Sequence, residues 1–379
     1  MEDLVNEFCK RFGEGSLRFL EDERDMFSSP DAFVPTGLLP VDFVLGKRGV
    51  PLGRMVEIFG FESVGKSAVL ASALGMCQQL GGVAILADTE HSYTDDWSRL
   101  FGIDPSKLLV FQPSHLQELG NQLTFLCDEL RKRNPDVPVL IGVDSLAATP
   151  VLEEVDEDLS DKATALHARV LSRILRKITD LIWERKVALI WINQQKERPM
   201  MGPFGGGGVA KIGGHALDFH AAVQLQLKRK QLLKKGNEIV GITIQLTAVK
   251  NKVGRPFRTA EVDYYFDRGF DDGAFVLEMG AYLGLWKKKG GGWYVHKDGT
   301  TFRSTDARLQ PELALKLERE VLTEFYGEEL GGRIFDVRRA LKDRAVAEAP
   351  GGEVSEDDET LRAPSGDVDG GAEGGDVLL

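Results

Sequence analysis

The segment Gly60-Phe61-Glu62-Ser63-Val64-Gly65-Lys66-Ser67 is the strongest indication of fold in this chain. It follows an apolar, strand-like run at 55–59 and opens a helix-like run at 68–74. A G-x-x-x-x-G-K-S sequence between a strand and a helix is typical of a phosphate loop, whose backbone N–H groups and helix N-terminus favour an anion. A chance glycine turn is the alternative, and the flanking pattern disfavours it. The sequence therefore predicts a nucleoside triphosphate-binding protein.

Two side chains of this loop have predicted roles. The Lys66 ammonium reaches the β- and γ-phosphates, and the Ser67 hydroxyl completes the coordination shell of a Mg²⁺ ion. The predicted nucleotide-binding residues are Gly60, Phe61, Glu62, Ser63, Val64, Gly65, Lys66, Ser67 and Ala68.

Composition excludes several classes of protein. The chain has 379 residues and a 42% apolar fraction, which is ordinary for a globular protein with a sizeable core. Its three cysteines are scattered, its first residues lack the pattern of a signal peptide, and no apolar run is long enough for a membrane span. We therefore expect a cytoplasmic protein with no membrane partner.

The charge is unevenly distributed. Residues 349–379 contain nine acidic residues and one arginine, a net charge of −8, so the remaining residues carry only −4 of the total −12. An acidic tail on a nearly neutral body is compatible with a local basic groove that binds nucleic acid.

Apolar strand patterns alternate with helical patterns from residue 38 to about 253. This alternation predicts an α/β core around a mostly parallel sheet. We expect an N-terminal helix and linker at 1–36, a core at 37–269, a small α+β domain at 270–330 and a tail at 331–379, acidic and disordered from about 345. The predicted strands are 54–59, 83–88, 108–111, 139–144, 187–193, 222–228 and 240–249.

Three polar residues lie at or just after the ends of predicted strands. Asp144 ends the run 139–144, and an acid in that position behind a phosphate loop holds Mg²⁺ directly or through water. Glu90 follows the strand 83–88 and is placed to orient or deprotonate the attacking water, although a surface or helix-capping carboxylate is the alternative. Gln194 follows the strand 187–193 and is placed to sense a γ-phosphate and signal to the next loop.

Two segments are candidates for contact with DNA. Arg169, Arg173 and Arg176 lie at i, i+4 and i+7, on one face of the helix predicted at 163–183, where a solvated basic face is the alternative. The glycine-rich loop at 195–214 can follow phosphates, while an apolar residue enters between bases. Its candidate DNA-binding residues are Lys196, Arg198, Met200 and Phe204.

These residues resemble the bacterial-type RecA recombinases. The resemblance covers most of the chain and fades through 275–327. It is carried, in order, by residues 12–16, 36–42, 53–58, the phosphate loop, Glu90-His91, Val143-Asp144-Ser145, Ile192-Asn193-Gln194, residues 213–219 and residues 249–253.

The resemblance implies a role for several positions. Glu90 is then the catalytic carboxylate, assisted by Lys66 and Gln194, and Asp144 is the Mg²⁺ ligand together with Ser67. Trp97 falls where the family stacks an aromatic ring on adenine. Lys250 and Lys252 fall where the family contacts the ATP of an adjacent protomer. Arg169 and Arg176 match phosphate-contacting arginines, and Gly213 and Gly214 match glycines that approach DNA.

The family also implies a function. The implied function is strand exchange between single-stranded DNA and homologous double-stranded DNA, with ATP and Mg²⁺ as cofactors. A helical homopolymer with DNA-dependent ATPase activity carries it out. The implied partners also include single-strand-binding and mediator proteins. A RecA-type core with a short polymerisation helix is the expected fold. Two DNA-binding loops are expected, at about 153–163 and at 195–214. The second is longer than in the usual bacterial form and the first is unusually acidic, so the identity of the residue that separates the bases is left open. A ring-shaped DNA motor, or a recombinase paralogue or loader, is the alternative.

Overall fold

The computed structural model describes residues 1–14, 16, 17, 19, 32–133, 136–146, 149–152, 162–198, 208–212 and 216–348. The strands are β1 (Phe33–Val34), β2 (Val50–Pro51), β3 (Met55–Gly60), β4 (Val83–Asp88), β5 (Leu109–Phe111), β6 (Val139–Asp144), β7 (Val187–Arg198), β8 (Gly208–Lys211), β9 (Val223–Lys235), β10 (Glu238–Asn251), β11 (Thr259–Tyr265), β12 (Gly269–Asp271), β13 (Trp286–Lys288), β14 (Trp293–His296) and β15 (Thr301–Arg303).

The helices surround these strands. They are α1 (Glu2–Phe12), α2 (Leu39–Leu45), α3 (Lys66–Gln79), α4 (Asp95–Arg99), α5 (Leu116–Arg133), α6 (Lys162–Arg185), α7 (Ala216–His220), α8 (Gly273–Tyr282), α9 (Asp306–Leu309), α10 (Pro311–Tyr326) and α11 (Glu328–Glu348). None of these described helices combines the length and the apolar character needed to cross a membrane.

One large sheet organises the core in the order β12-β11-β10-β9-β3-β7-β6-β4-β5, with β8 attached to β7. Neighbouring strands in the part of the sheet made of β5, β4, β6, β7, β3 and β9 are parallel. Strands β10, β11 and β12 extend the sheet beyond β9 in antiparallel fashion. Every residue of β3 and β6 is buried, as expected of parallel strands that are covered on both faces. Helices α2 and α3 cover one face, and α5, α6 and α7 cover the other. The predicted α/β class with a mostly parallel sheet is confirmed.

The register of the parallel strands places the predicted site residues at one edge. Gly60 at the end of β3 is opposite Gln194 of β7, and Asp88 of β4 is opposite Asp144 of β6. Because the carboxyl ends of parallel strands meet at the same edge of a sheet, the phosphate loop and these polar residues face a common crevice.

The base of the second predicted loop is a β-hairpin. β7 continues to Arg198 and β8 returns from Gly208, so Gln195 pairs with Lys211 and Arg198 pairs with Gly208. The described part of the predicted loop 195–214 is therefore largely strand, in residues 195–198 and 208–211.

The C-terminal helix α11 packs against the core through a buried ion cluster. The Arg338 guanidinium donates to Asp272 Oδ1 at 2.5 Å and to Glu318 Oε1 at 2.7 Å, and all three side chains are under one-tenth exposed. Burial raises the pKa of Asp272, but the guanidinium outweighs this and holds it below its usual value. The division expected at residue 331 falls inside α11, which is continuous from Glu328.

Replacing Arg338 by methionine should lower the free energy of unfolding by about 3–5 kcal/mol, because the buried Asp272 would lose its counterion and Glu318 would keep only its ion pair with the partly exposed Lys342. Urea denaturation followed by circular dichroism measures this change. The neighbouring Arg339 is 57% exposed and pairs with the exposed Asp343, so Arg339→Met is the matched control and should change stability by less than about 0.5 kcal/mol. Equal effects of the two substitutions would contradict the assignment.

Candidate functional site

The phosphate loop has the backbone geometry that its glycines permit. It connects β3 to α3, and Gly65 adopts a left-handed conformation with φ +84°. A Cβ atom on Gly60 would lie 2.4 Å from the backbone oxygen of Leu227, so any side chain at this position would displace β9. The loop therefore presents a close backbone turn at the N-terminus of a 14-residue helix, which suits a phosphate group.

Lys66 is folded over this loop. Its Nζ donates to the backbone oxygen of Phe61 at 2.6 Å, and the residue is only 7% exposed. Burial lowers the pKa of Lys66, while the carboxylates of Asp144, Glu90 and Glu62 oppose that shift. The ammonium thus lies within the field of three acids at the mouth of the loop.

Asp144 and Ser67 form a donor set suited to Mg²⁺. The Asp144 carboxylate accepts hydrogen bonds from Ser67 and from the Tyr93 hydroxyl, the latter at 3.2 Å. Burial raises the pKa of Asp144 to about 6, and the nearby charge of Glu90 adds to this effect. Mg²⁺ prefers one or two carboxylate or hydroxyl oxygens together with waters and phosphates, and this pair fits that preference.

Glu90 is an exposed carboxylate at the crevice. Ser145 donates a short hydrogen bond to Glu90 Oε1, and Gln194 Nε2 lies 3.4 Å from the same oxygen. Thr89 joins the tips of β4 and β6, because its N–H donates to the Asp144 backbone oxygen and its hydroxyl to that of Ser145, both at 2.8 Å. The structure thus brings Glu90, Asp144, Gln194 and Lys66 together at one edge of the sheet.

Aromatic residues line the region beside the loop. Trp97 is half-buried, and its ring centroid lies 5.1 Å from that of Tyr93 and 4.7 Å from that of Phe101. Tyr264 of β11 hydrogen-bonds to Trp97 and lies next to the position of a Cβ on Gly65. Sequence reasoning missed Tyr93, Ser145 and Tyr264 as site residues. Tyr93 and Ser145 are adjacent to predicted site residues, whereas no local signal distinguishes Tyr264.

Lys250 and Lys252 lie away from the loop end of β3. Lys250 is paired with Gln224, which is paired with Glu57, three strand positions before Gly60. The Lys250 ammonium donates to the backbone oxygen of Asp218, and Lys252 is exposed. Burial lowers the pKa of Lys250, and the Lys252 ammonium lowers it further. The structure does not bring these lysines into the crevice of their own chain.

The predicted basic face of α6 is exposed. Arg169, Arg173 and Arg176 all lie on the surface of α6. Burial lowers the pKa of His220 on α7, and the cations of Arg176, Lys250 and Lys252 lower it further. Lys196 is exposed on β7, and Arg198 belongs to the same strand. Met200, Phe204, Gly213, Gly214 and most of the first predicted loop lie outside the described residues, as does the chain beyond residue 348.

Comparisons with known proteins agree on one family. The family model described as RecA N-terminal domain matches residues 1–271. "Protein RecA" of Pseudarthrobacter chlorophenolicus is 35% identical over 325 residues, which cover 84% of this chain and 89% of that protein. "Protein RecA" of Arthrobacter sp. is 36% identical over 325 residues, with the same coverage of 84% and 89%. "Protein RecA" of Corynebacterium jeikeium is 32% identical over 378 residues, which cover 97% of this chain and 94% of that protein.

Proposed function

The chain belongs to the RecA recombinase family, and from this premise we propose that it is an ATP-dependent recombinase that forms helical filaments on single-stranded DNA. In the filament it pairs the bound strand with homologous double-stranded DNA and exchanges strands. It hydrolyses ATP in a DNA-dependent reaction that uses Mg²⁺. Single-strand-binding and mediator proteins are its further proposed partners.

The contact between Gln194 and Glu90 carries this proposal. Gln194 ends the parallel part of β7 at the edge of the phosphate loop, and β7 runs on from it into the second loop. A triphosphate that forms a hydrogen bond with the Gln194 amide therefore acts on the same strand that leads to the DNA-binding segment. Ordering of a segment by a γ-phosphate is an established type of switch.

The residues of the crevice divide the hydrolytic work. Lys66 and the loop N–H groups hold the phosphates, while Ser67 and Asp144 hold the metal. When bound, Mg²⁺ neutralises charge on the β- and γ-phosphates. Glu90 orients the attacking water and accepts its proton, and the Ser145 hydroxyl fixes the position of that carboxylate.

Exposed apolar side chains support self-assembly. Helix α1 has no buried residue, and its Leu4 and Phe12 are 52% and 61% exposed. The edge strand β5 exposes about half of Leu109 and of Val110, and Phe219 of α7 is 75% exposed. Large exposed apolar side chains and an uncovered edge strand are typical of surfaces that bind another protein. The proposed partner at these surfaces is a second copy of the chain.

The two lysines at the end of β10 complete this arrangement. Because Lys250 and Lys252 do not reach the crevice of their own chain, we assign them to the triphosphate of the adjacent protomer. Cations supplied across an interface stabilise charge on the transferring phosphoryl group only when the protomers are assembled. This couples hydrolysis to filament formation.

Electron microscopy and an ATPase assay test the proposed function directly. With single-stranded DNA and a nonhydrolysable ATP analogue, we expect helical filaments, and single-stranded DNA should stimulate ATP hydrolysis. Closed rings would favour a DNA motor, and absence of turnover with retained DNA binding would favour a recombinase paralogue or loader.

Replacing Arg176 by alanine tests the DNA-binding face of α6. If the guanidinium contacts a phosphate, affinity should fall uniformly across DNA sequences, and the slope of log K against log salt should lose about one unit. Fluorescence anisotropy with labelled oligonucleotides over a range of KCl concentrations measures both quantities. Arg133→Ala, on α5, removes an arginine that is 74% exposed and should leave the slope unchanged.

A further inference from the structure

A closed ring of hydrogen bonds joins four side chains below the hairpin of β7 and β8. The Lys211 ammonium donates to Glu57 Oε2 at 2.8 Å and to Asp218 Oδ1. The Gln224 amide donates to the same two oxygens, at 2.6 Å each. The side chain of Glu57 is fully buried and that of Lys211 is 15% exposed. We call Glu57, Lys211, Asp218 and Gln224 the Glu57 ring.

The Glu57 ring ties the exit of the second loop to the strand that carries Gln194. Lys211 is the last residue of β8, and Ile212 follows it. Asn193 Nδ2 donates to Glu57 Oε1 at 2.9 Å and to the Ile212 backbone oxygen at 3.1 Å. The Ile212 N–H in turn donates to the Gln194 backbone oxygen at 3.2 Å. The chain leaving the second loop is thereby held at the edge of the nucleotide crevice.

The same ring holds the lysine assigned to the adjacent protomer. The Lys250 ammonium donates to the backbone oxygen of Asp218, whose carboxylate accepts from Lys211 and Gln224. The ammonium groups of Lys211 and Lys250 thus both lie in the field of the Glu57 and Asp218 carboxylates. Lys211 also lies over the Phe59 ring, with its Nζ 4.5 Å from the centroid.

Moving Lys250 changes the charge balance of the ring. When its ammonium leaves for a triphosphate, both carboxylates remain and Lys211 stays in contact with them. The attraction on Lys211 then increases, because it acts in a buried, weakly screened site. Withdrawal of Lys211 at that stage would leave Glu57 as an uncompensated buried charge, which is strongly unfavourable. With Lys250 in place, its positive charge repels the Lys211 ammonium, so Lys211 is released more easily.

We propose that Lys211 is a positioning residue that holds the exit of the second loop in place when Lys250 engages the triphosphate of the adjacent protomer. Nucleotide at the interface thereby strengthens the grip of the loop on single-stranded DNA. Because binding couplings are reciprocal, DNA strengthens the engagement of Lys250 by the same factor. The inference rests on the proposed function, since it assigns Lys250 to the neighbouring nucleotide.

Variants of Lys211 that separate charge from hydrogen bonding test this inference. The readout is the ratio of single-stranded DNA dissociation constants without nucleotide and with a nonhydrolysable ATP analogue, measured by anisotropy. Lys211→Gln keeps donors for Glu57 and Asp218 but removes the charge, so the ratio should fall by at least about fivefold. Lys211→Arg keeps the charge, so its ratio of dissociation constants should stay close to that of the wild type. A merely structural role would be served equally well by glutamine.

The double variant E57Q/K211M removes one charge of each sign, and its ratio of dissociation constants should also fall. Its matched control is E261Q/K230M, which removes an exposed lysine–glutamate pair joined at 2.5 Å and should retain it. Thermal melting of each variant establishes that it is folded. Folded Lys211→Gln or E57Q/K211M protein with an unchanged ratio would overturn the inference, whereas a wild-type ratio near one would overturn the proposed function itself.

Discussion

Replacing Lys66 by alanine is expected to abolish ATP hydrolysis and strand exchange together. The Lys66 ammonium lies at the mouth of the phosphate loop, within the field of Asp144 and Glu90, and its bond to the Phe61 backbone oxygen is available for exchange with a phosphate. Removal of one preorganised donor from a developing anion typically costs about 10²–10³-fold in rate. Here nucleotide binding is weakened as well.

The experiment compares ATP turnover and strand exchange between circular single-stranded and linear duplex DNA. Lys107→Ala is the control, because its lysine is 73% exposed and pairs with Asp104 at the surface. The control should match the wild type in both assays. Full strand exchange by the Lys66 variant would rule out a mechanism driven by nucleotide binding at this loop.

Glu90→Gln is the second substitution with a large expected effect. Glutamine is nearly the same size and keeps a carbonyl oxygen that accepts from Ser145 and Gln194, so ATP and DNA binding should persist. It cannot accept the proton of the attacking water. General-base catalysis typically contributes about 10²–10⁴-fold, and the turnover number should fall by that factor.

Single-turnover hydrolysis and binding of a fluorescent ATP analogue separate these two effects. Glu129→Gln, on the surface of α5, is the matched control and should leave turnover unchanged. We expect filaments of the Glu90 variant to persist longer after ATP addition, because hydrolysis no longer loosens them. Turnover close to that of the wild type would exclude Glu90 as the base.

Much of the fold was accessible from local patterns. Parallel strands that are buried on both faces give continuous apolar runs, and β3, β4 and β6 begin and end within one residue of their predicted bounds. Asp144, Glu90 and Gln194 follow such runs, so their meeting at one edge of the sheet was predictable from the topology of parallel strands alone.

Other features depend on residues that are distant in sequence. The ring partner of Lys211 lies 154 residues away at Glu57, and Arg338 pairs with Asp272 across 66 residues. Each residue by itself is a charged side chain that would ordinarily be assigned to the surface. For this reason Lys211 fell within the predicted DNA-binding loop at 195–214 without a role of its own, and the segment after residue 331 was predicted to be a tail.

The local order of residues was sufficient to specify the phosphate loop, the strand and helix types, and the residues at the strand ends, because backbone propensity and hydrophobic period act over a few residues. Three-dimensional packing was needed to specify which charges are buried and paired, since burial brings together side chains from separate elements and makes their mutual neutralisation obligatory. The fold class thus follows from the chain's local patterns. The connections between Lys250, the Glu57 ring and the second loop exist only in the assembled sheet.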